Sequence, residues 1–447
     1  MKIQQFYDSH LSHASYAILS KDKITLVDPA SNPQQYYDFA KEHSAEIIYV
    51  LETHPHADFV SSHLQIHNET KAEILINELA GPSYDHRTFN HNDEIVLDIL
   101  NIRALHTPGH SPDSNSYLIT NTENQEQVLF TGDFLFIGDV GRPDLRENVG
   151  NTQEAQKDLA EAMHTSIMTI LPTLSDDVVI YPAHGAGSLC GKNLSKELYD
   201  TLGNQRKNNW ALQKNISKED FVNTLLNDQP FIPKYFTHCV EVNRNGASDF
   251  QKIIKDKMLF FEDLIEEKYS LIIDTRNSEA FRSGSYKKAL NIPADDSDKF
   301  ETWLGSIIAP DEEFLLIVES EESAQKIYRR IQKIGYEENI QGYYIADTNL
   351  VDMNVLPVES DILNHHEYLF LDIRQENEHY EKKAFEHAIN IPLSILRESM
   401  DSIGTDRPVV VHCAGGYRSA IGASIIAAEY PDLEVYDMSV RIKKHLN

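Results

Sequence analysis

The chain has 447 residues, 25% of them charged, and a formal net charge of −30, so it is too long for one compact core and predicts roughly two to four domains. That charge excludes a general nucleic-acid binder, which needs a basic face, and no apolar run is long enough to cross a bilayer. Only three cysteines are present, Cys190, Cys239 and Cys413, which excludes a disulfide framework and fits a reducing compartment.

The start, "MKIQQFYDSHLSHASY", has neither a signal-peptide nor a transit-peptide pattern, and a cytoplasmic location is expected. Up to about residue 245 the chain reads as short β-branched or alternating runs: "SYAILS", "KITLVD", "EIIYVLETH", "AEILI", "EIVLDI", "NIRALHT", "NSYLIT", "QVLFTGD" and "DVVIYPAH". Helical stretches are predicted after Asn151, near Ser195 and near Ser217. The segment "NDQPFIPKYFTHCVEVNRNGAS", rich in Pro, Asn and aromatics, reads as an ordered connector. Beyond it lies an internal repeat. "LIIDTR" with "ALNIPA" recurs as "LFLDIR" with "AINIPL", and Asp274 and Asp372 stand 98 residues apart. Each copy continues into an apolar strand, "FLLIV" or "PVVVH", and a helix-compatible segment, so two small α/β units are expected. The predicted domains are 1–245, 246–356 and 357–447.

Polar ligand-type residues gather at the strand ends of the first part. His54, His56 and Asp58 alternate in "THPHADF", His110 follows in "TPGHS", Asp133 in "FTGD" and His184 in "YPAHG". Alternation in an extended segment turns side chains to one side, and such residues make poor strand termini in a core unless something binds them. His63 and His67, on a predicted helix, read as structural or exposed, as does Cys239.

These residues resemble the metallo-β-lactamase fold, whose first cluster usually reads HxHxDH, and the resemblance includes Asp28 in "LVDP" and His184 in "PAHG". It implies an αββα domain over roughly the first 240 residues. Where two-metal hydrolases of that superfamily carry the last histidine of the cluster, this chain has Phe59, which disfavours a dinuclear hydrolytic centre. His54, His110 and Asp133 remain as two imidazoles and one carboxylate, a set that suits mononuclear non-haem Fe(II) and O2. "GDVGRPDL" and "PAHGAGSLCGK" look like the persulfide dioxygenase branch. That resemblance implies iron ligands at His54, His110 and Asp133, with His56, Asp58 and His184 orienting them or lining the pocket. Arg142 is either a substrate contact or a surface salt bridge. Cys190 is either a pocket thiol or an inert buried one. Lys192, Arg206 and Lys207 are candidates for an anion-attracting rim.

"VVVHCAGGYRSAIGASII" is the sharpest local signal. A strand ends at His412-Cys413, a loop with Gly415 and Gly416 follows, and a helix is predicted from near Ser419. Loop N–H groups, the helix start and Arg418 all favour thiolate over thiol and make Cys413 a nucleophile. The segment resembles a rhodanese active-site loop, with the Asp-x-Arg and Asn-Ile-Pro pieces of the same family, and implies that Cys413 carries a persulfide sulfur. Aligning "LLIVESEES" with it sets Ser320 opposite Cys413, among glutamates and without glycines, so the first copy is expected to be a catalytically dead rhodanese domain.

The whole chain is thus similar to persulfide dioxygenase–rhodanese fusions: an α/β multidomain protein with an N-terminal metallo-β-lactamase fold and two tandem rhodanese-like domains. The resemblance implies oxidation of a low-molecular-weight thiol persulfide (of coenzyme A, bacillithiol or glutathione type) by O2 to sulfite, then sulfur transfer to sulfite giving thiosulfate. It also implies a homo-oligomer. Two rival readings are a glyoxalase-II-like zinc thioester hydrolase with an appended sulfurtransferase, and a non-catalytic sulfur-relay or scaffold protein.

Overall fold

The structure, a computed structural model, describes residues 1–145, 152–250, 258–259, 271–351, 355–358 and 366–446. The chain divides into two compact units, Met1–Gln251 with Lys333–Gly335, and Lys252–Gln332 with Tyr336–Asn447. Both sequence repeats fall in the second unit.

The first unit holds two six-stranded sheets. One runs in chain order through Lys2–Asp8, His13–Ser20, Lys23–Val27, Glu46–Leu51, Glu73–Ile76 and Arg87–Thr88. The other is ordered Asp200–Thr201, Val179–Pro182, Gln127–Gly132, Asn115–Asn121, Leu100–His106 and Glu94–Leu97. Tyr16, Ile18, Leu51 and Leu75 of the first sheet share a core with Ile102, Tyr117, Ile119 and Phe130 of the second. On the outer side of the first sheet, Ala17, Leu26 and Val50 pack on Tyr36 and Phe39 of helix Gln34–Glu42. Outside the second, Leu118, Leu129 and Ile180 pack with Ala160, Met163 and Ile167 of helix Thr152–Ile170. Strand His13–Ser20 shows the period of two at work: Tyr16 and Ile18 face the intersheet core, Ala17 the helical layer. The result is the expected αββα order.

Several elements differ from the sequence expectation: helix Gln34–Glu42 was not foreseen, and the helix expected near Ser195 starts only at Leu202. Lys2–Asp8 is an edge strand whose "KIQQFYD" is half-buried or exposed throughout, so it lacks the apolar signature of its neighbours. The supposed connector contains helix Tyr235–Asn245, which buries Tyr235, Phe236, Cys239 and Val240; their i, i+1, i+4, i+5 spacing makes one apolar stripe.

The second unit holds two parallel sheets. The first has the order Leu290–Asn291, Ile272–Asp274, Phe314–Val318, Ile340–Ile345. The second has the order Val355–Pro357, Val435–Asp437, Val409–His412, Leu369–Asp372, Ile389–Asn390. Strand Val355–Pro357 thus joins the second repeat's sheet, and the expected boundary after residue 356 falls inside it. The repeated motif has an architectural cause. Arg276 and Arg374 each fork onto the aspartate two residues before, with Nη2–Oδ2 distances of 2.6 Å in both. Asn291 donates to the carbonyls of Asp274 and Arg276, and Asn390 to those of Asp372 and Arg374, at 2.8–3.0 Å. Each Asp-x-Arg…Asn set therefore locks the first strand of its repeat to the neighbouring one.

Sheet register corrects the alignment of the two repeats. Asp274 pairs with Ile317 and Asp372 with His412, so Val318, not Ser320, occupies the place of Cys413. Two residues then separate Val318 from helix Glu321–Gln332, against three between Cys413 and helix Tyr417–Glu429. Ser320 instead caps its helix, its Oγ accepting from the Ser323 N–H at 3.1 Å. No helix among the described residues is long and apolar enough to cross a membrane.

Candidate metal centre and cysteine loop

Four strands of the first unit deliver the polar cluster. His54, His56 and Asp58 follow strand Glu46–Leu51, Asp133 follows Gln127–Gly132, His184 follows Val179–Pro182, and His110 lies between Leu100–His106 and Asn115–Asn121. All six are at least 96% buried. One ligand atom each from His54, His110 and Asp133 lie within 4.8 Å of one another, and the same holds for His56, Asp133 and His184, and for Asp58, His184 and Cys190. His110 Nε2 is 3.5 Å and His54 Nε2 4.0 Å from Asp133 Oδ2, while His184 Nε2 is 3.4 Å from Oδ1. Asp133 therefore stands between two sets of imidazoles.

The backbone around Asp133 admits little change. Gly132 has a φ of +52°, and a Cβ there would lie 2.7 Å from that of Thr53. Thr53 itself is tied to Asp28, its N–H donating at 2.7 Å and its hydroxyl at 2.9 Å, and its Oγ1 lies 3.1 Å from His54 Nδ1. His110 Nδ1 meets the Arg142 carbonyl at 2.8 Å. Both contacts leave Nε2 facing the cluster, as hydrogen bonds behind metal-binding histidines do.

Both carboxylate oxygens of Asp133 are buried and accept no hydrogen bond from any described residue. An orphaned carboxylate among imidazoles is costly unless a cation completes it, so the residues fit a metal ion. Burial alone would raise Asp58, but the imidazoles of His184, His56 and His13 outweigh it and hold the carboxyl at about 2. His13 escaped the sequence reading. It is buried, kept neutral by burial and by His184 and His56, and its ring stacks on Phe59 at 3.7 Å between centroids. Phe59 also lies 4.5 Å from His56, so carbon fills the space beside that imidazole.

Cys190 reaches the Asp58–His184 side of the cluster. Burial, with the carboxylates of Asp58 and Asp133, pushes its thiol up toward the protonated form. Asp139 holds the loop that carries it, accepting from Trp210 Nε1 at 2.7 Å, Lys192 N at 3.1 Å and Asn193 N at 2.8 Å. Of the supposed basic rim, Lys192 Nζ caps the carbonyls of Thr224 and Asn227, and Arg206 pairs with Asp176.

Arg142 forms a salt bridge, but a buried one rather than the surface pair expected. Nε and Nη2 each donate to Asp144 at 2.6 Å, Nη1 donates to the Leu189 carbonyl at 3.1 Å, and the side chain is 1% exposed. Breaking such a pair strands a carboxylate, so Arg142→Gln should lower unfolding stability by about 2–4 kcal/mol, read from the urea midpoint. A guanidinium that met substrate instead would leave stability unchanged and raise only KM.

In the second unit, strand Val409–His412 delivers Cys413 into the expected loop. Its Sγ accepts from the N–H groups of Gly416 at 3.1 Å and Gly415 at 3.5 Å. Of the two glycines only Gly416 needs the left-handed region, with a φ of +110°, and its Cβ would meet Ser439 backbone at 3.0 Å. The helix starts at Tyr417, two residues earlier than expected. Arg418, expected beside the sulfur, forks onto Glu378 at 2.6 and 2.7 Å. Burial alone would raise Glu378, but Arg418 outweighs it and lowers the carboxyl below its ordinary range. Glu378 was invisible as a site residue because its local role, in the capping box of helix Glu376–Glu381, already explains it.

His412, beneath the loop, is fully buried, with Nδ1 3.7 Å from Asp372. Burial brings it down to about 4, against the pull of the Asp372 carboxylate and helped by Arg374 and His379. The unfolded chain therefore binds a proton there near pH 6.5 that the folded unit refuses until about pH 4. Stability from this residue is complete above pH 6.5 and is lost as pH falls toward 4, by up to about 3 kcal/mol. Urea titrations across this range should show that slope flattened in His412→Asn.

Comparison with known proteins is consistent with this layout. Residues 9–184 match the metallo-beta-lactamase superfamily, and residues 260–344 and 360–441 match the rhodanese-like domain. A solved metallo-beta-lactamase from Staphylococcus aureus subsp. aureus COL is 32% identical with a TM-score of 0.70, covering 77% of this chain and 99% of its own. The hydroxyacylglutathione hydrolase of Haemophilus influenzae is 28% identical over 205 residues, 41% of this chain and 84% of that protein. The mitochondrial persulfide dioxygenase of Bos taurus is 26% identical over 177 residues, 39% of this chain and 64% of that protein.

Proposed function

Because the chain belongs to the metallo-beta-lactamase superfamily and continues into two rhodanese-like domains, we propose that it oxidises a thiol persulfide with O2 and passes sulfur through Cys413. In the first reaction one persulfide, one O2 and one water give the thiol, sulfite and two protons. In the second, Cys413 takes the outer sulfur of another persulfide, releasing its thiol, and sulfite removes that sulfur as thiosulfate.

The observation that carries this reading is the pairing of His54 and His110 with Asp133, whose two oxygens are unsatisfied, while Phe59 packs carbon against His56. An Fe(II) ion held by His54, His110 and Asp133 would supply the redox chemistry with O2 and leave positions open for substrate. The chain's own contribution is to fix those side chains. Thr53 and the Arg142 carbonyl set the rings of His54 and His110. Phe59 and His13 pack their rings together beside His56. At the other centre, two backbone N–H groups hold the sulfur of Cys413 in place, both as attacking and as leaving group. The carrier thiol is proposed to be of coenzyme A, bacillithiol or glutathione type, in a cytoplasmic protein whose three cysteines form no disulfide among the described residues.

A second reading, a zinc thioester hydrolase, is favoured by the set of His56, Asp133 and His184, which could hold another metal. Anaerobic purification with metal quantification, followed by oxygen-uptake measurements, separates the two. The proposal expects one iron per chain and uptake that depends on persulfide. Two zinc ions per chain with thioester hydrolysis and no uptake would overturn it.

A further inference from the structure

Asn243 stands near the end of helix Tyr235–Asn245, is 1% exposed, and directs its side chain at a single turn of the first unit. Its Nδ2 donates to the carbonyls of His56 at 2.9 Å and Phe59 at 2.7 Å, and its Oδ1 accepts from the Ser61 N–H at 2.8 Å. We propose that Asn243 is a positioning residue for the metal centre, holding residues 56–61 so that His54 keeps its place in the ligand set. This inference rests on the reading of His54, His110 and Asp133 as that centre.

The residue type follows from what the turn lacks. Residues 56–61 lie between strand Glu46–Leu51 and helix His63–Thr70 and belong to neither, so their backbone groups need partners from elsewhere. Two carbonyls and one N–H converge on the same spot. Asparagine is the short side chain that has donors for the first two and an acceptor for the third. An ionised aspartate offers no donor, a leucine neither kind of group, and a glutamine brings one more methylene into a closely packed place. The same pattern fixes which end of the amide is nitrogen, because the reverse would set a donor against the Ser61 N–H and an oxygen against two carbonyls.

The effect converges on the first ligand. Thr53, just before His54, is held by Asp28 through its N–H and its hydroxyl. The carbonyl of His56 is held by Asn243, so His54 sits between two anchored stretches of backbone. The rings of His54 and His56 lie 4.1 Å apart, and a shift of one crowds the other. The remaining two bonds of Asn243 fall just beyond Asp58, on Phe59 and Ser61. They fix the backbone that carries Asp58 Oδ1 to 3.4 Å from His184 Nε2, and the Phe59 ring that stacks on His13. Ser61 ties the turn back toward the strand end, its Oγ donating to Glu52 Oε1 at 3.0 Å. An asparagine that served only its own helix would bond to that helix. These three bonds instead reach 182 to 187 residues upstream, onto the segment that delivers the ligand.

The test measures binding of cobalt(II) to the metal-free, full-length protein by chelator competition, with the visible d–d bands of the bound ion as a second readout. Asn243→Leu, of the same branched shape, should weaken binding about 10–100-fold, the scale of losing an orienting group behind a ligand, and should shift the bands. Asn243→Asp keeps the acceptor for Ser61 and loses both donors. It should move affinity and bands in the same direction, and it decides the matter if the leucine variant does not fold. Val240→Ala, which thins the buried stripe of the same helix, should lower the urea midpoint yet leave affinity within about twofold and the bands unmoved. Unchanged affinity and bands in either folded Asn243 variant overturn the inference. An equal loss of affinity in Val240→Ala does so too, since it marks mere support of the helix. If Asp133→Ala binds cobalt as tightly as the wild type, the reading of the metal centre fails instead, and the two failures are told apart.

Discussion

Asp133→Ala should leave a folded protein that retains no metal and has lost persulfide-dependent oxygen uptake by a factor of about a thousand or more. Loss of an orienting group behind a metal ligand already costs about 10–100-fold in affinity, and here the carboxylate grouped with His54, His110, His56 and His184 goes. Without metal, Asp133 is compensated in part by His184, whose Nε2 lies 3.4 Å from Oδ1 and whose ring Asp133 draws toward its charged form against the cost of burial. Added metal should therefore raise the urea midpoint of the wild type and leave that of Asp133→Ala unmoved. An equal rise in both would mean that Asp133 is not a ligand.

Cys413→Ser should separate the two reactions. The hydroxyl keeps the shape of the loop and the N–H contacts of Gly415 and Gly416, yet an oxygen at that place cannot carry a transferable sulfur. Oxygen uptake should continue, sulfite should accumulate in place of thiosulfate, and sulfur transfer should fall by about a thousandfold or more. Product analysis by ion chromatography reads this directly. Loss of oxygen uptake in this variant would contradict independent centres. Uptake that survives in His54→Ala would contradict a metal route altogether.

The sequence disclosed the parts of both centres that sit at the ends of strands. His54, His110, Asp133 and His184 were legible because an apolar run ending in a ligand-type residue has few structural explanations, and the structure gathers all four. Cys413 was legible because glycines and a helix start follow a strand at once. What escaped depends on partners that only folding supplies. His13 has no motif around it and meets His56 and His184 from a strand far upstream. Arg142 could not be told from a substrate contact until Asp144 was seen on its fork. Glu378 lies 40 residues from Arg418. Ser320 was set opposite Cys413 because residue counting follows similarity along the chain, whereas the place is decided by which residue pairs with Asp274. The helix Tyr235–Asn245 was hidden by the prolines ahead of it.

The shortened turn after Val318 has an evolutionary consequence. Because the Asp-x-Arg…Asn lock persists in both copies, the earlier one still folds as its sibling does and stays recognisable. A point substitution to cysteine would return a thiol there, but not the missing length or the glycine on which a sulfur cradle closes. Restoring function would take an insertion as well as replacements, each useless alone.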